Sequence, residues 1–361
     1  LQKEYQKIIG EFYSPFKIKK LLEEIDLLIE KNDLQFVEHN VEEILDGDGI
    51  EIKFNIFEGE KKLVERINVL GNNITNEDVI RGELLLDEGD PFTELKLEKS
   101  IANIKSRDIF NEVTYEVSDG ADDSSKVVDI KVEEKPTGEI SAGAGIGTDG
   151  GSFAINIVEN NWLGEGKSVS FDIEVDKESL GGGISYTDPN YDFLGNSVSY
   201  FLRSTDNDKE DQGYENTVVT AGANTGFEQF KDVYTNLGLS ASYDNLRTLN
   251  TASESLKKQA GSFTDISGSY GFTSDKRNRS FQPTDGYITS FSQTLPIYAD
   301  KKSLSNRVQG SVYNTFSENV IGAAKFTVET INGLGADNVR LSKRKNLSTK
   351  RLRGFKKNKI G

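Results

Sequence analysis

Residues able to do covalent or metal chemistry are scarce in this chain. It holds no cysteine and a single histidine, His39. A thiol nucleophile, a thiolate metal site and a disulfide are excluded, and any histidine-based triad would have to use His39. His39 itself reads as a polar strand or loop position at the surface. Asp46-Gly47-Asp48-Gly49 has the oxygen-rich look of a calcium loop, but the remaining ligands of such a loop do not follow. Asp-Gly dipeptides between two alternating segments predict a hairpin turn. The concentration of charge that reads as functional is basic: Arg351-Leu352-Arg353-Gly354-Phe355, close to Gly361. A guanidinium taken out of water needs an acceptor, and a carboxylate can serve it through two hydrogen bonds. Gly354 permits close backbone approach or a positive φ. Lys343, Arg344, Lys345, Lys350, Lys356 and Lys357 lie nearby, so a solvated basic loop is the competing reading.

The whole chain is acidic, with 59 Asp and Glu against 43 Lys and Arg and a formal net charge of −16. This is the opposite of the basic face of a nucleic-acid binder. No hydrolytic or redox constellation emerges, so neither an enzyme nor a cofactor site is expected. Methionine is absent throughout, and no basic, apolar and small-residue series opens the sequence. A fragment or a trimmed mature chain is expected. No apolar run approaches the ~20 residues of a membrane helix. A membrane role would therefore need a β-barrel or an amphipathic surface.

The elements that would position these residues change character at Pro136. Before it, helix-period and strand-period segments alternate. Phe16, Leu21, Leu22, Ile25, Leu28 and Ile29 share one helical face. Residues 39–44 and 50–57 read as two strands joined at the Asp-Gly turn. The pattern then returns in fuller form. Residues 66–69 form a strand ending at Gly71-Asn72, and residues 76–84 a helix with Asn76 as N-cap. A second helix capped by Thr93 carries Leu97, Ile101 and Ile104 on one face. Strands at 111–117 and 126–132 flank an acidic turn. The order is β-α-α-β-β, and the first copy lacks its opening strand, so an array of small modules is expected.

After Pro136 the period is two. Val169, Phe171, Ile173 and Val175 alternate with Ser170, Asp172 and Glu174, and Leu237, Leu239, Ala241 and Tyr243 alternate with Gly238, Ser240 and Asp244. About eleven such segments occur, each near the ~9–11 residues of a tilted membrane strand. An apolar face opposite a Ser, Thr, Asn, Asp and Gly face suits a barrel with lipid outside and a wet lumen. A soluble sandwich shares the period. Two polar stretches, 204–213 and 245–261, read as the longest loops, and both follow odd strands. Odd loops lie on the side away from the modules, where outer-membrane barrels carry their long loops. Trp162, Tyr186, Tyr191, Phe193 and Tyr298 stand near strand ends, where interface girdles form.

These segments carry motifs of a known family. The β-α-α-β-β modules resemble POTRA domains through residues 67–71, 110–113 and 128–133. Glu134-Lys135-Pro136-Thr137-Gly138, followed by Gly143-Ala144-Gly145-Ile146-Gly147, resembles the entry to the first barrel strand of the BamA family of outer-membrane protein assembly factors. Asn160-Asn161-Trp162-Leu163-Gly164-Glu165-Gly166, Thr187-Asp188-Pro189-Asn190-Tyr191 and Phe281-Gln282-Pro283-Thr284-Asp285-Gly286 are similar to its periplasmic turns, and Arg353-Gly354-Phe355 to the motif of its sixth external loop. The resemblance implies α+β POTRA modules followed by an antiparallel transmembrane β-barrel, incomplete at about eleven of sixteen strands. It implies a partial POTRA domain over 1–60, a membrane-proximal one over 61–135, and the N-terminal part of the barrel over 136–361.

The implied role is non-enzymatic assembly and insertion of β-barrel proteins, as the central barrel subunit of a complex in the cell outer membrane of a Gram-negative bacterium, with the POTRA domains in the periplasm. Implied partners are the outer-membrane bilayer, unfolded outer-membrane β-barrel proteins and accessory lipoproteins such as BamD. The implied sites are the lateral seam strand with Gly143, Gly145 and Gly147, and a β-augmentation edge at Val113, Tyr115 and Val117. Lipoprotein docking is implied at Arg81 and Glu88, and a lumen motif at Arg353, Gly354 and Phe355, whose acidic partner is expected beyond Gly361. The seam glycines have a competing reading, the relief of crowding at a barrel bend. A TamA-like or two-partner secretion pore, a barrel anchor or porin, and the membrane part of a secreted-enzyme fusion remain the alternatives.

Overall fold

The computed structural model describes residues 37–46, 49–58 and 62–345, apart from 148–149, 193, 231, 279–281 and 318–319, together with residues 9, 10, 18, 21, 22, 25, 28 and 29. The chain divides into two compact units, Leu1–Pro136 and Thr137–Gly361.

In the first unit, Leu21 and Ile25 of the expected helical face are helical and buried, joined by Ile18, while Leu28 is exposed. Phe16 lies outside the described residues. Strands β1 (Val37–Asp46) and β2 (Gly49–Glu58) pair antiparallel. Asp46 stands opposite Gly49, the register of a two-residue hairpin. His39 lies in β1 opposite Ile56.

The next module is a three-stranded sheet with two helices. Strands β3 (Leu63–Leu70), β4 (Phe110–Asp119) and β5 (Ser125–Glu134) lie in the order β3-β5-β4, with β3 parallel and β4 antiparallel to β5. A parallel pair needs a crossover, which α1 (Glu77–Arg81) and α2 (Glu94–Ser106) supply. Leu97, Ile101 and Ile104 are buried on one face of α2 against Val64, Ile67, Val113, Val128 and Ile130. Each fully buried side chain of this kind contributes about 1.5–3 kcal/mol. Asn76 and Thr93 stand at the N-cap positions as expected, but neither makes a side-chain cap hydrogen bond. Glu77, Asp78 and Glu94 in the first turns complement the helix dipoles instead. Helix α1 is also shorter than the expected 76–84, closing where the Gly82 N–H bonds to Asp78 O at 2.8 Å.

The second unit is one antiparallel meander of 11 strands. They are β6 (Gly138–Gly147), β7 (Gly150–Trp162), β8 (Lys167–Asp176), β9 (Ser179–Asp188), β10 (Ser197–Lys209), β11 (Tyr214–Phe230), β12 (Val233–Thr248), β13 (Gly261–Asp275), β14 (Gly286–Ala299), β15 (Ser303–Ser317) and β16 (Val320–Gly333). Among the described residues each strand pairs with its chain neighbours alone, and β6 and β16 end the sheet. A single meander rather than two stacked sheets is the arrangement of a barrel wall, not of a two-layered sandwich. Leu239 stands beside Ala223 and Gly268, and Tyr243 beside Val219 and Thr264, on one face. Leu237, Leu239, Tyr243, Phe171, Ile297 and Phe326 are exposed there, a band of large apolar side chains that suits lipid.

One expected loop is mostly strand. Residues 204–209 continue β10 and pair with Tyr214–Val219 of β11. Polarity alone suggested a loop there, but polar residues on both faces are compatible with a ladder standing in water: Thr217 Oγ1 donates to Asp206 Oδ1 at 2.5 Å. The stretch 245–261 does contain a long connection, with helix α3 (Glu254–Lys257) capped by Ser253, whose side chain accepts from Leu256 N.

Candidate functional site

The glycine-rich strand expected at the seam is β6, which among the described residues pairs with β7. A Cβ added at Gly143 would meet nothing within 4 Å, and one at Gly145 would come 3.2 Å from Ser152 Oγ. Among the described residues nothing crowds Gly143. What glycine does supply there is a strand without side-chain packing. Gly147 pairs with Gly150 at the hairpin end, where Gly150 has φ +105°.

In the POTRA-like sheet the two edges differ. On β4, Val113 is buried, Tyr115 packs partly against the core and Val117 is exposed. Edge β3 is sealed from within its own module. The Ile67 N–H donates to Glu88 Oε1 at 3.0 Å, and Arg81 Nη2 donates to Ile67 O at 2.8 Å. Farther along β3, the Val64 N–H donates to Asp90 O at 2.9 Å and the Gly89 N–H to Val64 O at 2.7 Å. Arg81 and Glu88 are thus brought together, 3.7 Å apart, and Glu77 holds Arg81 at 2.6 Å. Their hydrogen bonds to Ile67 could not be read from charge pattern alone, because they depend on the turn at 87–91 folding back along β3.

Glu134 closes the same module. Its carboxylate accepts from the N–H groups of Asn73 (3.0 Å), Ile74 (3.0 and 3.1 Å) and Thr75 (2.6 Å). Burial alone would raise its pKa, but the hydrogen bonds from Thr75, Ile74 and Asn73 outweigh burial and hold it below the usual carboxylate range.

Arg353, Gly354 and Phe355 lie outside the described residues. A different arginine, which sequence reasoning missed, is buried just after β16. Arg340 reaches Asp244 of β12, with Nε 3.2 Å from Oδ2, and Asp265 of β13 through Nη2. Its guanidinium carbon sits 4.7 Å from the centroid of the Phe263 ring. Lys343 adds an ion pair to Asp265 at 2.9 Å, and the Ser342 hydroxyl donates to Asp244 at 2.5 Å. Asn216 of β11 donates to the other Asp244 oxygen at 2.9 Å. Leu341 packs with Tyr214, Leu246 and Phe263, and Leu256 of α3 covers them. The available signal was the pair of acidic residues, Asp244 and Asp265, at positions facing away from the apolar band next to Leu246 and Phe263.

Comparison with known proteins follows this geometry closely. The Omp85 superfamily domain matches residues 161–361, and a POTRA family described as a surface antigen variable number repeat matches residues 63–135. The outer membrane protein assembly factor BamA of Neorickettsia risticii (strain Illinois) is 28% identical over 320 residues, 86% of this chain and 42% of that protein. Its counterpart from Neisseria meningitidis serogroup B is 26% identical over 313 residues, 81% of this chain and 39% of that protein. The chain thus spans about two-fifths of the length of these curated relatives. Among solved structures, BamA from Haemophilus ducreyi lacking POTRA domains 1–3 superposes with a TM-score of 0.73 at 20% identity, over 98% of this chain and 71% of that one. CdiB from Escherichia coli superposes with a TM-score of 0.51 at 13% identity, over 92% and 65%. At these identities the structural likeness is one of fold. With the superfamily domain matching more than half of its residues, the chain belongs to the Omp85 superfamily and is BamA-like within it.

Proposed function

We propose that the protein carrying this chain assembles and inserts β-barrel proteins into the outer membrane, as the central barrel subunit of an assembly complex and without enzymatic chemistry. The chain lies in the outer membrane with its POTRA region in the periplasm. In this reading residues 1–60 are part of one POTRA domain, 61–135 the membrane-proximal one, and 136–361 the first part of the barrel. The observation that supports the reading is the glycine-bearing β6 at the start of the barrel wall, which among the described residues pairs with β7. An unpaired strand in hydrocarbon leaves backbone groups unsatisfied at several kcal/mol each. An edge that pairs weakly with its own barrel offers an incoming strand that pairing.

The POTRA-like sheet supports an earlier step. An extended substrate binds by adding a strand to an open sheet edge. With β3 sealed at Val64 and Ile67, the edge offered is β4, with Val113, Tyr115 and Val117. Accessory lipoproteins such as BamD are proposed to dock at Arg81 and Glu88, whose side chains stay 35% and 46% exposed while gripping Ile67. Arg353, Gly354 and Phe355 are proposed as the lumen motif of an external loop.

The likeness to CdiB favours, as a second reading, a related translocation pore of the two-partner secretion or TamA-like kind. The test is folding of a small unfolded barrel protein in liposomes that contain the full-length protein and its accessory partners. Acceleration over empty liposomes is expected. No acceleration, with secretion of a passenger restored in its place, selects the second reading.

A further inference from the structure

The carboxylates of Asp244 and Asp265 stand on neighbouring strands and are 2% and 1% exposed. Two buried negative charges repel each other and lose their hydration, so each needs a counter-charge. The cations bound to them in the described residues, Arg340 and Lys343, come from the segment after β16. The charges balance two against two. Guanidinium geometry is central, because a planar fork can meet carboxylates on two adjacent strands while its flat face lies on the Phe263 ring.

The topology makes this contact unusual. Among the described residues the strands of the meander pair with their chain neighbours, so β16 and β13 are separated by β15 and β14. The segment leaving β16 crosses that distance and seats Leu341 among Tyr214, Leu246 and Phe263. A contact of this kind is a chord across the curve of the sheet. It fixes the base of the segment relative to the middle of the wall, away from the β6 edge.

We propose that Arg340 is a positioning residue that anchors the base of the external segment to the inner wall at Asp244 and Asp265, separately from the Arg353 motif farther along. The two carboxylates form the receptor, Arg340 and Lys343 the matching charges, and Leu341 the apolar plug between them. The anchor keeps β11, β12 and β13 braced against the end of β16. The proposal does not rest on the insertase reading, since its test uses no substrate.

The chain has no cysteine, so a Leu341→Cys variant of the full-length protein reports the seat directly. Leu341 is 8% exposed, and slow labelling by a hydrophilic maleimide in detergent micelles is expected. Adding Arg340→Met is expected to raise the labelling rate at least tenfold, and Arg340→Lys, which keeps the charge but loses the fork, by less. The Asp244→Asn, Asp265→Asn pair removes the wall's side of the anchor and is expected to match Arg340→Met. Arg353→Ala is expected to leave the rate unchanged. Each variant is compared as its heat-modifiable folded band. If Arg340→Met does not fold, the aspartate pair carries the test alone; its failure to fold as well would refute a merely positional role. Unchanged labelling in folded Arg340→Met or in the folded aspartate pair overturns the proposal, as does equal release by Arg353→Ala.

Discussion

Glu134, the last residue of β5, grips the N–H of Thr75 at 2.6 Å across 59 residues of sequence. One carboxylate thereby serves three successive N–H groups in the β3–α1 connection, two residues before the first unit ends at Pro136. Glu134→Ala leaves those N–H groups to water and is expected to cost about 1–2 kcal/mol. The pH dependence follows from the sign of the shift. The folded pKa lies below the unfolded value, so the stabilisation is full above the unfolded value of about 4.3 and fades as pH falls through the folded value. The protection factors of the amides at residues 73–75, exchange rates normalised to the intrinsic rate at each pH, should fall as pH drops through the lowered pKa of Glu134, and Glu134→Gln should abolish that dependence. Protection factors unchanged by acidification would refute the account.

Sealing of β3 makes a second prediction. Arg81→Ala with Glu88→Ala bares the N–H and C=O of Ile67, which these side chains now satisfy. A loss of about 1–3 kcal/mol is expected, together with a second strand-accepting edge. Titration with an extended β-strand peptide should change from one binding site per module to two, or the protein should self-associate. A single site with no association would show that residues 87–91 seal the edge without the side chains.

Gly143 separates stability from function. Among the described residues nothing lies within 4 Å of its missing Cβ, and Gly143→Val is expected to leave the folded band as heat-resistant as before. Valine improves strand propensity on a scale of about 1 kcal/mol, which firms the β6–β7 pairing. Barrel insertion in liposomes is therefore expected to slow several-fold. An unchanged rate would remove Gly143 from the seam mechanism.

The module core sets a reference scale. Leu97 is fully buried on α2, and Leu97→Ala is expected to cost about 2–5 kcal/mol from lost burial and the cavity left behind. Limited proteolysis of the full-length protein should then cut within residues 63–135 at lower protease concentration. Resistance equal to the native protein would mean that the core refills the space.

Much of this architecture was legible in the sequence because it is local. Alternation of Leu237, Leu239 and Tyr243 with Gly238, Ser240 and Asp244 assigns faces to β12 without knowledge of any neighbour. Asp46-Gly47-Asp48-Gly49 marks the β1–β2 turn, and the apolar spacing of Leu97, Ile101 and Ile104 marks α2. A meander then follows, since each hairpin joins strands adjacent in the chain. The misread places were those where polarity stood in for structure. Residues 204–209 are polar on both faces yet extend β10, because cross-strand pairing to 214–219 supplies the hydrogen bonds.

Tertiary structure alone decided which polar groups meet. Period and composition place Asp244 and Asp265 on a polar face, but not against Arg340, which lies 75 residues beyond Asp265. They likewise place Arg81 and Glu88 on a charged surface, but not on the backbone of Ile67. The physical reason is range. Strand and helix periods are set by sterics and hydrogen bonds within a few residues, whereas a buried ion cluster or a sealed edge depends on sheet curvature, register and chain return. Sequence by itself determined that this chain is a POTRA-like module followed by a barrel wall. The fold determined that β6 and β16 stand at the two ends of the described sheet, that β3 is closed, and that Arg340 is buried against the wall.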